Sequence, residues 1–467
     1  MKEKERGIWN FIDKIEGDKV VWIIVFMLTM ISTLAIFSST SQLTGDSTDR
    51  IDLIRRHTYV IIGGYAIIFL LYRIKKIGWF RVLSKFGFLV TFILLALLNF
   101  GGKLGIVHAE NINHAVRTLE VFGYQIHVFE VAKVAMVMYL AWAMQAYKSD
   151  QKEIKSSGKG GSLTIANLLA QTKTFAFMSK PFWKRAMYMY LPMLTVCAMV
   201  LPGSNSSAIF LGIVMLATLM IGGIPFKEIF IGILIAGCLI GSAAGLYYAS
   251  DGNILGNTRL GTMFERLNAD YSIERLEGLK EHSREWYKVR DAIKQPYTAR
   301  IAIHEGGLLG KGSGNSTQKY VVTHIYSDYM FSFIIEEYGI WGGILVLILF
   351  VSLIARGSMI ARLCSNEFAQ IAVGGLSLMI TGQAFMHIFV NVGIGPMTGQ
   401  TLPLISDGSF AFIMFCIAFG IILSISRIAR NQIRMEEEAA APLYENSDDI
   451  QVAMTVLDSI DMDNDEI

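Results

Sequence analysis

The sequence predicts an all-α membrane protein with ten transmembrane helices and a large external loop between the seventh and the eighth. Hydrophobic residues make up 53% of the 467 residues and charged residues only 17%, whereas soluble globular proteins average about 45–50% and about 25%. The apolar residues also gather into runs of about 20 residues, the length that a helix needs to cross a bilayer. The net charge of +2 gives no reason to expect nucleic-acid binding.

Ten apolar runs account for the predicted helices. No cleavage site of small residues follows the first run, so we expect an uncleaved helix rather than a signal peptide. The four cysteines lack the spacing of metal ligands and three of them lie in apolar runs, so no disulfide is expected. The runs cover residues 20–37, 58–72, 86–100, 128–146, 186–201, 207–224, 228–249, 330–355, 367–391 and 409–426.

The distribution of Lys and Arg predicts that both termini are cytoplasmic, because inner loops carry an excess of these residues. With the N-terminus inside, the inner segments hold 24 of them and the short outer loops five. The external segment 250–329 is left out of this comparison, since long loops cross the membrane regardless of charge. The chain then divides into a cytoplasmic N-terminus (1–19), a membrane domain (20–426) and a cytoplasmic tail (427–467).

Three soluble segments differ in composition. Residues 147–185 are rich in Lys, Ser and Gly and are expected to form a flexible cytoplasmic loop. The tail after Arg434 carries eleven acidic residues and no Lys or Arg, a composition typical of disorder. The external segment 250–329 is much longer than a connection needs and ends in a Gly-rich half, which favours a functional loop.

Polar residues in or beside the apolar runs are the first candidates for a functional site, because each is costly in lipid. Glu130 and Lys133 lie three residues apart, hence on one face of the fourth helix. They form either an internal salt bridge that fixes helix packing or the lining of a polar cavity that opens outward. Arg117, just upstream, either binds phosphate through two hydrogen bonds or extends its charge to the membrane surface.

Further candidates flank the eighth and ninth helices. Asp328 precedes the eighth helix, where an acidic residue is most often a cap, while Glu336 and Glu337 lie two turns further in and need partners. Residues 391–409 contain two prolines and four glycines. Irregular backbone at membrane depth is tolerated only where it is buried in protein or lines a cavity, so a broken or re-entrant segment is expected. All these candidates fall on the predicted external side, which indicates an external active or binding site.

Three strings follow one another in the second half of the sequence. They are Gly310-Lys311-Gly312 with Gly314-Asn315-Ser316-Thr317-Gln318-Lys319, Ser327-Asp328-Tyr329 with Glu336-Glu337-Tyr338-Gly339, and Pro396-Met397-Thr398-Gly399 with Leu402-Pro403-Leu404-Ile405-Ser406. In this order they resemble the SEDS family (shape, elongation, division and sporulation). The resemblance covers about residues 18–430 and is closest to the FtsW branch in its Bacteroidetes form, with the RodA branch next.

The resemblance implies a ten-helix peptidoglycan glycosyltransferase that polymerises lipid II outside the cytoplasmic membrane during cell division. It also implies a class B penicillin-binding protein, a transpeptidase, and other division proteins as partners. Arg117 is similar to the Arg of the family's Gly-Ala-x-Arg-Trp motif, and Glu130 and Lys133 are similar to the Glu and Lys of its Gln-Pro-Ser-Glu-x-x-Lys motif. The chain departs from these motifs, because Thr118 replaces the Trp and His127-Val128-Phe129 replaces the Gln-Pro-Ser.

The resemblance further implies which residues act on the substrate. The family's catalytic aspartate lies upstream of an Ile-Ala-Ile-like block, here Ile301-Ala302-Ile303, so Asp291 is the expected base and Asp270 is the alternative. A divalent cation, Mg²⁺ or Mn²⁺, is a further candidate for stabilising the leaving group. The expected diphosphate binders are Arg117, Lys133 and Lys311. The other expected substrate-binding residues are Glu130, Ser316, Gln318, Asp328, Thr398 and Ser406.

The expected chemistry is a single displacement. The acceptor's 4-hydroxyl must lose a proton as it attacks the anomeric carbon, which calls for a carboxylate within about 2.6–3.2 Å. A β-linked product from an α-linked donor requires inversion, without a covalent enzyme intermediate. Two other functions remain open, namely transport of a lipid-linked precursor, which suits broken helices and intramembrane charges, and a non-catalytic division scaffold. The long external loop disfavours the transporter.

Overall fold

Helices form most of the computed structural model, which describes residues 16–39, 47–101, 109–112, 115–121, 124–157, 163–250, 261, 264, 273–321, 325–395 and 398–445. The helices are α1 (Lys19–Ser39), α2 (Ser47–Tyr72), α3 (Ile77–Ala96), α4 (Val128–Ser157), α5 (Thr164–Ala170), α6 (Pro181–Arg185), α7 (Leu191–Val200), α8 (Asn205–Ile221), α9 (Phe226–Ala249), α10 (Ile273–Gly278), α11 (Arg284–Gly306), α12 (Met330–Leu363), α13 (Glu367–Asn391) and α14 (Ser409–Glu445).

Seven of the described helical stretches are long and apolar enough to cross a membrane. One further apolar helix, α8, is shorter, at 17 residues. The prediction of an all-α membrane protein is confirmed, while the count of ten spans stays a prediction. The seven stretches are Lys19–Ser39, Ile54–Tyr72, Ile77–Gly101, Val128–Ser156, Met330–Leu363, Glu367–Asn391 and Ser409–Glu436.

A small antiparallel sheet precedes α4. It was not predicted from the sequence. Its strands, in spatial order, are β1 (Ala109–Ile112), β2 (Ala115–Val121) and β3 (Tyr124–His127). β2 is rich in β-branched residues, which favour strands, but strands this short leave little periodic signal. Because Thr118 pairs with His127, the backbone of Arg117 lies opposite the start of α4.

Residues 147–185 were expected to form a flexible loop, and that expectation is wrong for the part that the structure describes. Asp150, near the end of α4, forms an ion pair with Lys184 of α6 at 2.6 Å. Asn167 of α5 bridges them, donating to Asp150 at 2.7 Å and accepting from Lys184 at 2.5 Å. Both charged side chains are at most 2% exposed. Composition averaged over the segment does not reveal one buried pair that fixes three helices.

The predicted inner segments gather at one end of the helix bundle, which we call the Asp18 end. Asp18 is 2% exposed and accepts hydrogen bonds from Arg356. The main-chain carbonyl of Glu16 accepts from the Tyr72 hydroxyl, and its carboxylate accepts from the Asn431 amide. This grouping agrees with the segments that were assigned to one side of the membrane, although which side is cytoplasmic stays a prediction. The other inner segments are joined by the pairs Lys148–Glu367, Arg185–Glu228 and Ser365–Gln432.

The last helix runs past the predicted end of the membrane domain. α14 continues to Glu445, whereas the cytoplasmic tail was expected to begin at residue 427 and to be disordered. Part of the extension is held by side-chain contacts, since the Arg427 guanidinium lies 4.5 Å from the centre of the Tyr72 ring. Residues 446–467 lie outside the described part of the chain.

The segment 250–329 leads to the opposite end of the bundle, which we call the Glu337 end. Ser283 caps α11 by accepting from the main-chain N–H of Trp286 at 3.1 Å, and α11 packs against α12. At this end Ser38, the penultimate residue of α1, donates a hydrogen bond to Glu337 of α12 at 2.5 Å. The long loop therefore contains folded structure that is attached to the membrane helices.

Asp150→Ala would leave the Lys184 ammonium buried without its carboxylate. Removing one partner of a buried ion pair costs about 3–5 kcal/mol, so the thermal unfolding midpoint of the purified protein should fall clearly. The control Lys152→Ala removes a charge that is 79% exposed and 3.8 Å from Glu367, and exposed pairs contribute about 0–1 kcal/mol. Equal midpoints for the two variants would contradict the structural role of Asp150.

Candidate active site

Three polar residues on α13 organise the candidate site. Gln383, His387 and Asn391 follow one another at intervals of four residues, so they share one face of the helix. Each is at most 1% exposed. Buried polar groups need hydrogen-bond partners, and these come from α4, from the start of α12 and from the irregular segment 398–408.

The ammonium group of Lys133, on α4, lies at the centre of this network. It donates to Oε1 of Glu130 at 2.6 Å, of Gln383 at 2.5 Å and of Gln400 at 3.3 Å. An ammonium group has three N–H donors, so all three are used. The salt bridge that the sequence suggested is present, with the Lys133 side chain 3% exposed and that of Glu130 16% exposed. The pair therefore presents its carboxylate, rather than its cation, toward the surface.

The irregular segment between α13 and α14 is fixed to the same network. The side-chain amide of Gln400 donates to Ser207 Oγ of α8 at 2.9 Å, and the main-chain carbonyl of Gln400 accepts from His387 Nδ1 at 2.8 Å. The Gln383 amide donates to the carbonyl of Thr401 at 3.0 Å. The described part of this segment is non-helical and is buried against protein, which is the setting in which irregular backbone at membrane depth is tolerated.

Asn391 joins this network to the start of α12. Its Oδ1 accepts from the main-chain N–H of Ser332 at 3.0 Å and from its hydroxyl at 2.9 Å, and its Nδ2 donates to the carbonyl of Asp328 at 3.0 Å. The N-cap residue of α12 is Tyr329 and not Asp328. The Asp328 carboxylate instead faces Gly399, with Oδ2 3.8 Å from where a Cβ would lie.

Ser406 and Thr398 take part through hydrogen bonds that fix the backbone. The Ser406 hydroxyl donates to the carbonyl of Ser327 at 2.8 Å and accepts from the N–H of Leu402 at 2.9 Å. The Thr398 carbonyl accepts from the Ser206 hydroxyl at 3.1 Å. The structure thus brings together five of the predicted site residues, namely Glu130, Lys133, Asp328, Thr398 and Ser406.

Three other predicted substrate-binding residues contact a buried carboxylate instead. Glu336 of α12 is 0% exposed, and its carboxylate lies 2.9 Å from Lys311 Nζ. The Ser316 hydroxyl and the Gln318 main-chain N–H donate to the same carboxylate at 2.5 and 3.2 Å. We call residues 306–319 the glycine collar, because this Gly-rich stretch wraps the two glutamates of α12.

The second glutamate is held by the collar as well. Glu337 Oε1 accepts from the Gly314 N–H at 3.0 Å, whereas its Oε2 is buried and has no hydrogen-bond partner among the described residues. Gly310 has a φ of +79°, and a Cβ there would lie 2.3 Å from the Glu337 carbonyl oxygen. Only glycine allows this close approach of the collar to α12.

The outer side of the collar carries one more carboxylate, that of Glu305. Hydrogen bonds from Lys311, and then from Gln318, lower the pKa of Glu305. Burial acts to lower the pKa of Lys311, but its hydrogen bonds to Glu305 and Glu336 raise that pKa overall. Lys311 is therefore held as a cation between two carboxylates of the chain itself.

The side chains of Arg117 and Asp291 lie outside the described part of the structure, so only their backbone positions are known. Arg117 belongs to β2 and Asp291 to the first half of α11. In the second half of α11, Arg300 donates to the carbonyl of Gly393 at 3.4 Å, which ties this helix to the segment that follows α13. The alternative base, Asp270, is outside the described residues.

The residues that hold Lys133 were not predicted from the sequence. The available signal was the spacing of Gln383, His387 and Asn391 within an apolar run, since polar residues four apart in a membrane helix share a face and mark a buried network. Among the described residues, no group of three His, Cys, Asp or Glu side chains could hold a metal ion. The divalent cation that was considered as a cofactor stays a prediction.

Comparisons with known proteins place this fold in a family. The sequence matches the family model FtsW/RodA/SpoVE, described as "Cell cycle protein", over residues 18–431. It is 27% identical to the "Probable peptidoglycan glycosyltransferase FtsW" of Coxiella burnetii over 88% of this chain and 96% of that protein. The protein of the same name from Pseudomonas fluorescens is 26% identical over 82% of this chain and 81% of its own length.

Two solved structures are similar in fold. Thermus thermophilus rod shape determining protein RodA gives a TM-score of 0.54 at 17% identity and covers 89% of this chain and 98% of its own. A chain of the structure described as "Structural coordination of polymerization and crosslinking by a peptidoglycan synthase complex" gives 0.59 at 20% identity, covering 88% and 98%. The resemblance to the SEDS family that the three sequence strings indicated is thereby confirmed. The chain belongs to the FtsW/RodA/SpoVE family of cell cycle proteins.

Proposed function

We propose that the chain is a peptidoglycan glycosyltransferase that polymerises lipid II into glycan strands at the external face of the cytoplasmic membrane during cell division. The observation that carries this proposal is the likeness, over more than four fifths of the chain, to relatives named as such enzymes. The structure supports it with a polar network that gathers family-motif residues close to the Glu337 end, the end to which the long loop leads.

Asp291 is the proposed general base. It belongs to α11, which is tied through Arg300 to the segment beside the Lys133 network. A carboxylate there would accept the proton of the acceptor's 4-hydroxyl, and general-base catalysis contributes about 10²–10⁴-fold to such a step. The donor's anomeric carbon would be inverted in one displacement, so no residue of the chain needs to form a covalent intermediate.

The leaving diphosphate needs positive charge close to it. Arg117, on the sheet that precedes α4, is the proposed first contact. Lys133 already donates all three of its protons, so it would contact a diphosphate only by giving up its longest hydrogen bond, the one to Gln400 at 3.3 Å. Lys311 is held between Glu305 and Glu336, and for it we propose a structural role in place of the substrate contact. No step is assigned to a divalent cation.

The proposed partners are a class B penicillin-binding protein, which cross-links the strands, and other division proteins. Support comes from the similar chain in a structure described as coordinating polymerisation and cross-linking in a peptidoglycan synthase complex. Purified protein with this partner and labelled lipid II separates the functions that the sequence left open. Glycan polymer would support the glycosyltransferase, whereas lipid translocation without polymer would indicate a transporter and neither product a scaffold.

Asp291→Asn should reduce lipid II polymerisation by about 10²–10⁴-fold, the usual contribution of a general base. Folding should not change, since Asn is nearly the same size and shape as Asp. Polymer length and amount on gels, together with the thermal midpoint, provide the measurement. Asp270→Asn is the matched control and should be mild. Activity retained by Asp291→Asn and lost by Asp270→Asn would move the base to Asp270.

Lys311→Met should lower the thermal unfolding midpoint, because Glu336 keeps its buried charge and loses a cationic donor. Leaving a buried acceptor under-satisfied costs about 1–3 kcal/mol. The control Lys180→Met removes an exposed cation that forms no ion pair with a described residue and should leave the midpoint unchanged. If Lys311→Met instead raised KM for lipid II at an unchanged midpoint, Lys311 would be a substrate contact after all.

We propose that the Glu337 end faces outward and that both termini are cytoplasmic. A cysteine at the exposed collar position Ser313 (Ser313→Cys) should then react with an impermeant thiol reagent in intact protoplasts. Lys180→Cys, in the predicted inner loop, should react only after lysis. Both variants need Cys238→Ser as background, because Cys238 is an exposed native thiol. The reverse pattern of labelling would invert the proposed orientation.

A further inference from the structure

A cationic cleft lies at the turn between α2 and α3, at the Asp18 end. Its volume is about 470 Å³, and it is lined by Arg73, Ile74, Lys75, Lys76 and Trp79. None of these residues belongs to the candidate active site. The cleft and the candidate site also lie at opposite ends of the helix bundle, because the Lys133 network and the collar are linked to the Glu337 end.

The backbone of this turn is fixed by α14. The carbonyl of Ile74 accepts hydrogen bonds from the Ser424 hydroxyl at 2.9 Å and from Arg427 at 3.3 Å. Arg427 also stacks on the ring of Tyr72, the last residue of α2. The cations therefore project from a preorganised frame, and ordering of the turn would add little to the cost of binding a ligand.

The charge of the cleft is not balanced within the described part of the chain. Arg73, Lys75 and Lys76 are exposed and form no ion pair with a described residue. The first turn of α3 contains no acidic residue, and its N-cap residue, Lys76, makes no side-chain cap. Cations at the N-terminus of a helix oppose the helix dipole. An anion in the cleft would therefore offset both the repulsion among the three cations and their repulsion by the positive end of the dipole.

An apolar row continues from the cleft along α3. Trp79, Val82 and Phe86 are 66%, 60% and 60% exposed, and their spacing of three and four residues places them on one face of the helix. α3 is long and apolar enough to span a membrane, so this face borders lipid. Trp79 lies between the cations and the row, where tryptophan typically marks the membrane–water interface.

We propose that this cleft binds the phosphate headgroup of an anionic phospholipid, with an acyl chain along the apolar row of α3. Three cations on a fixed turn recognise the phosphate, and the row beneath them accepts the chain. A soluble anion of the same charge would contact only the three cations and would leave the apolar row unused. The inference concerns lipid binding alone and does not depend on the proposed enzymatic function.

Native mass spectrometry of the purified full chain, titrated with phosphatidylglycerol or phosphatidylcholine, tests the proposal. Each cation near a membrane surface contributes about fivefold to the affinity for an anionic lipid, so Arg73→Gln/Lys75→Gln/Lys76→Gln should weaken phosphatidylglycerol binding on the order of 100-fold. Phosphatidylcholine binding should not change. The control Lys155→Gln/Lys180→Gln/Lys227→Gln removes the same charge from other inner segments and should leave phosphatidylglycerol binding as in the unaltered chain.

Three results would overturn the proposal. The first is equal affinity of the unaltered chain for the two lipids, which remains a decisive measurement even if the triple variant fails to fold. The second is an equal loss in the two triple variants, which would show that the net charge of this side acts rather than the cleft. The third is displacement of phosphatidylglycerol by inorganic phosphate at an equal concentration, which would show that the acyl chain adds nothing to binding. Phosphatidylglycerol that stays bound in phosphate supports the lipid site.

Discussion

The buried ammonium group of Lys133 is the interaction on which the rest of the site depends. An isolated charge in a low-dielectric interior costs several kcal/mol even after the surroundings relax, so the chain must supply acceptors around it. Glu130 is a neighbour on the same helix, but Gln383 comes from α13 and Gln400 from the irregular segment. One cation on α4 therefore fixes two distant parts of the chain, namely α13 and the irregular segment that follows it.

Two polar layers meet on α12. Ser332 binds Asn391, which belongs to the network around Lys133, and Glu336, one turn later, binds the glycine collar. The backbone between these two residues is continuous helix, so the collar and the network are mechanically connected. The collar thereby supplies hydrogen-bond donors to Glu336 and Glu337 that α12 itself cannot provide.

Much of the fold followed from local patterns, whereas the site did not. Apolar runs of spanning length predicted the membrane helices, and the spacing of Glu130 and Lys133 allowed their ion pair as one of two interpretations. The other partners of Lys133 lie 250 and 267 residues away along the chain, and no local pattern specifies contacts between helices. Lys311 shows the same limit, because the resemblance implied a diphosphate contact for it, and only the fold reveals its contact with Glu336.

The glycine collar has a consequence for how the chain enters the membrane. Charged residues weaken the tendency of a nascent helix to leave the translocon for lipid, and α12 carries two glutamates near one end. The collar is synthesised immediately before α12, and its N–H groups, hydroxyls and lysine neutralise or bind these carboxylates. A segment outside α12, which is made before it, therefore supplies the compensation that these carboxylates need at membrane depth. The tight approach at Gly310 keeps this segment against the helix, because a larger residue there would meet the main chain of α12.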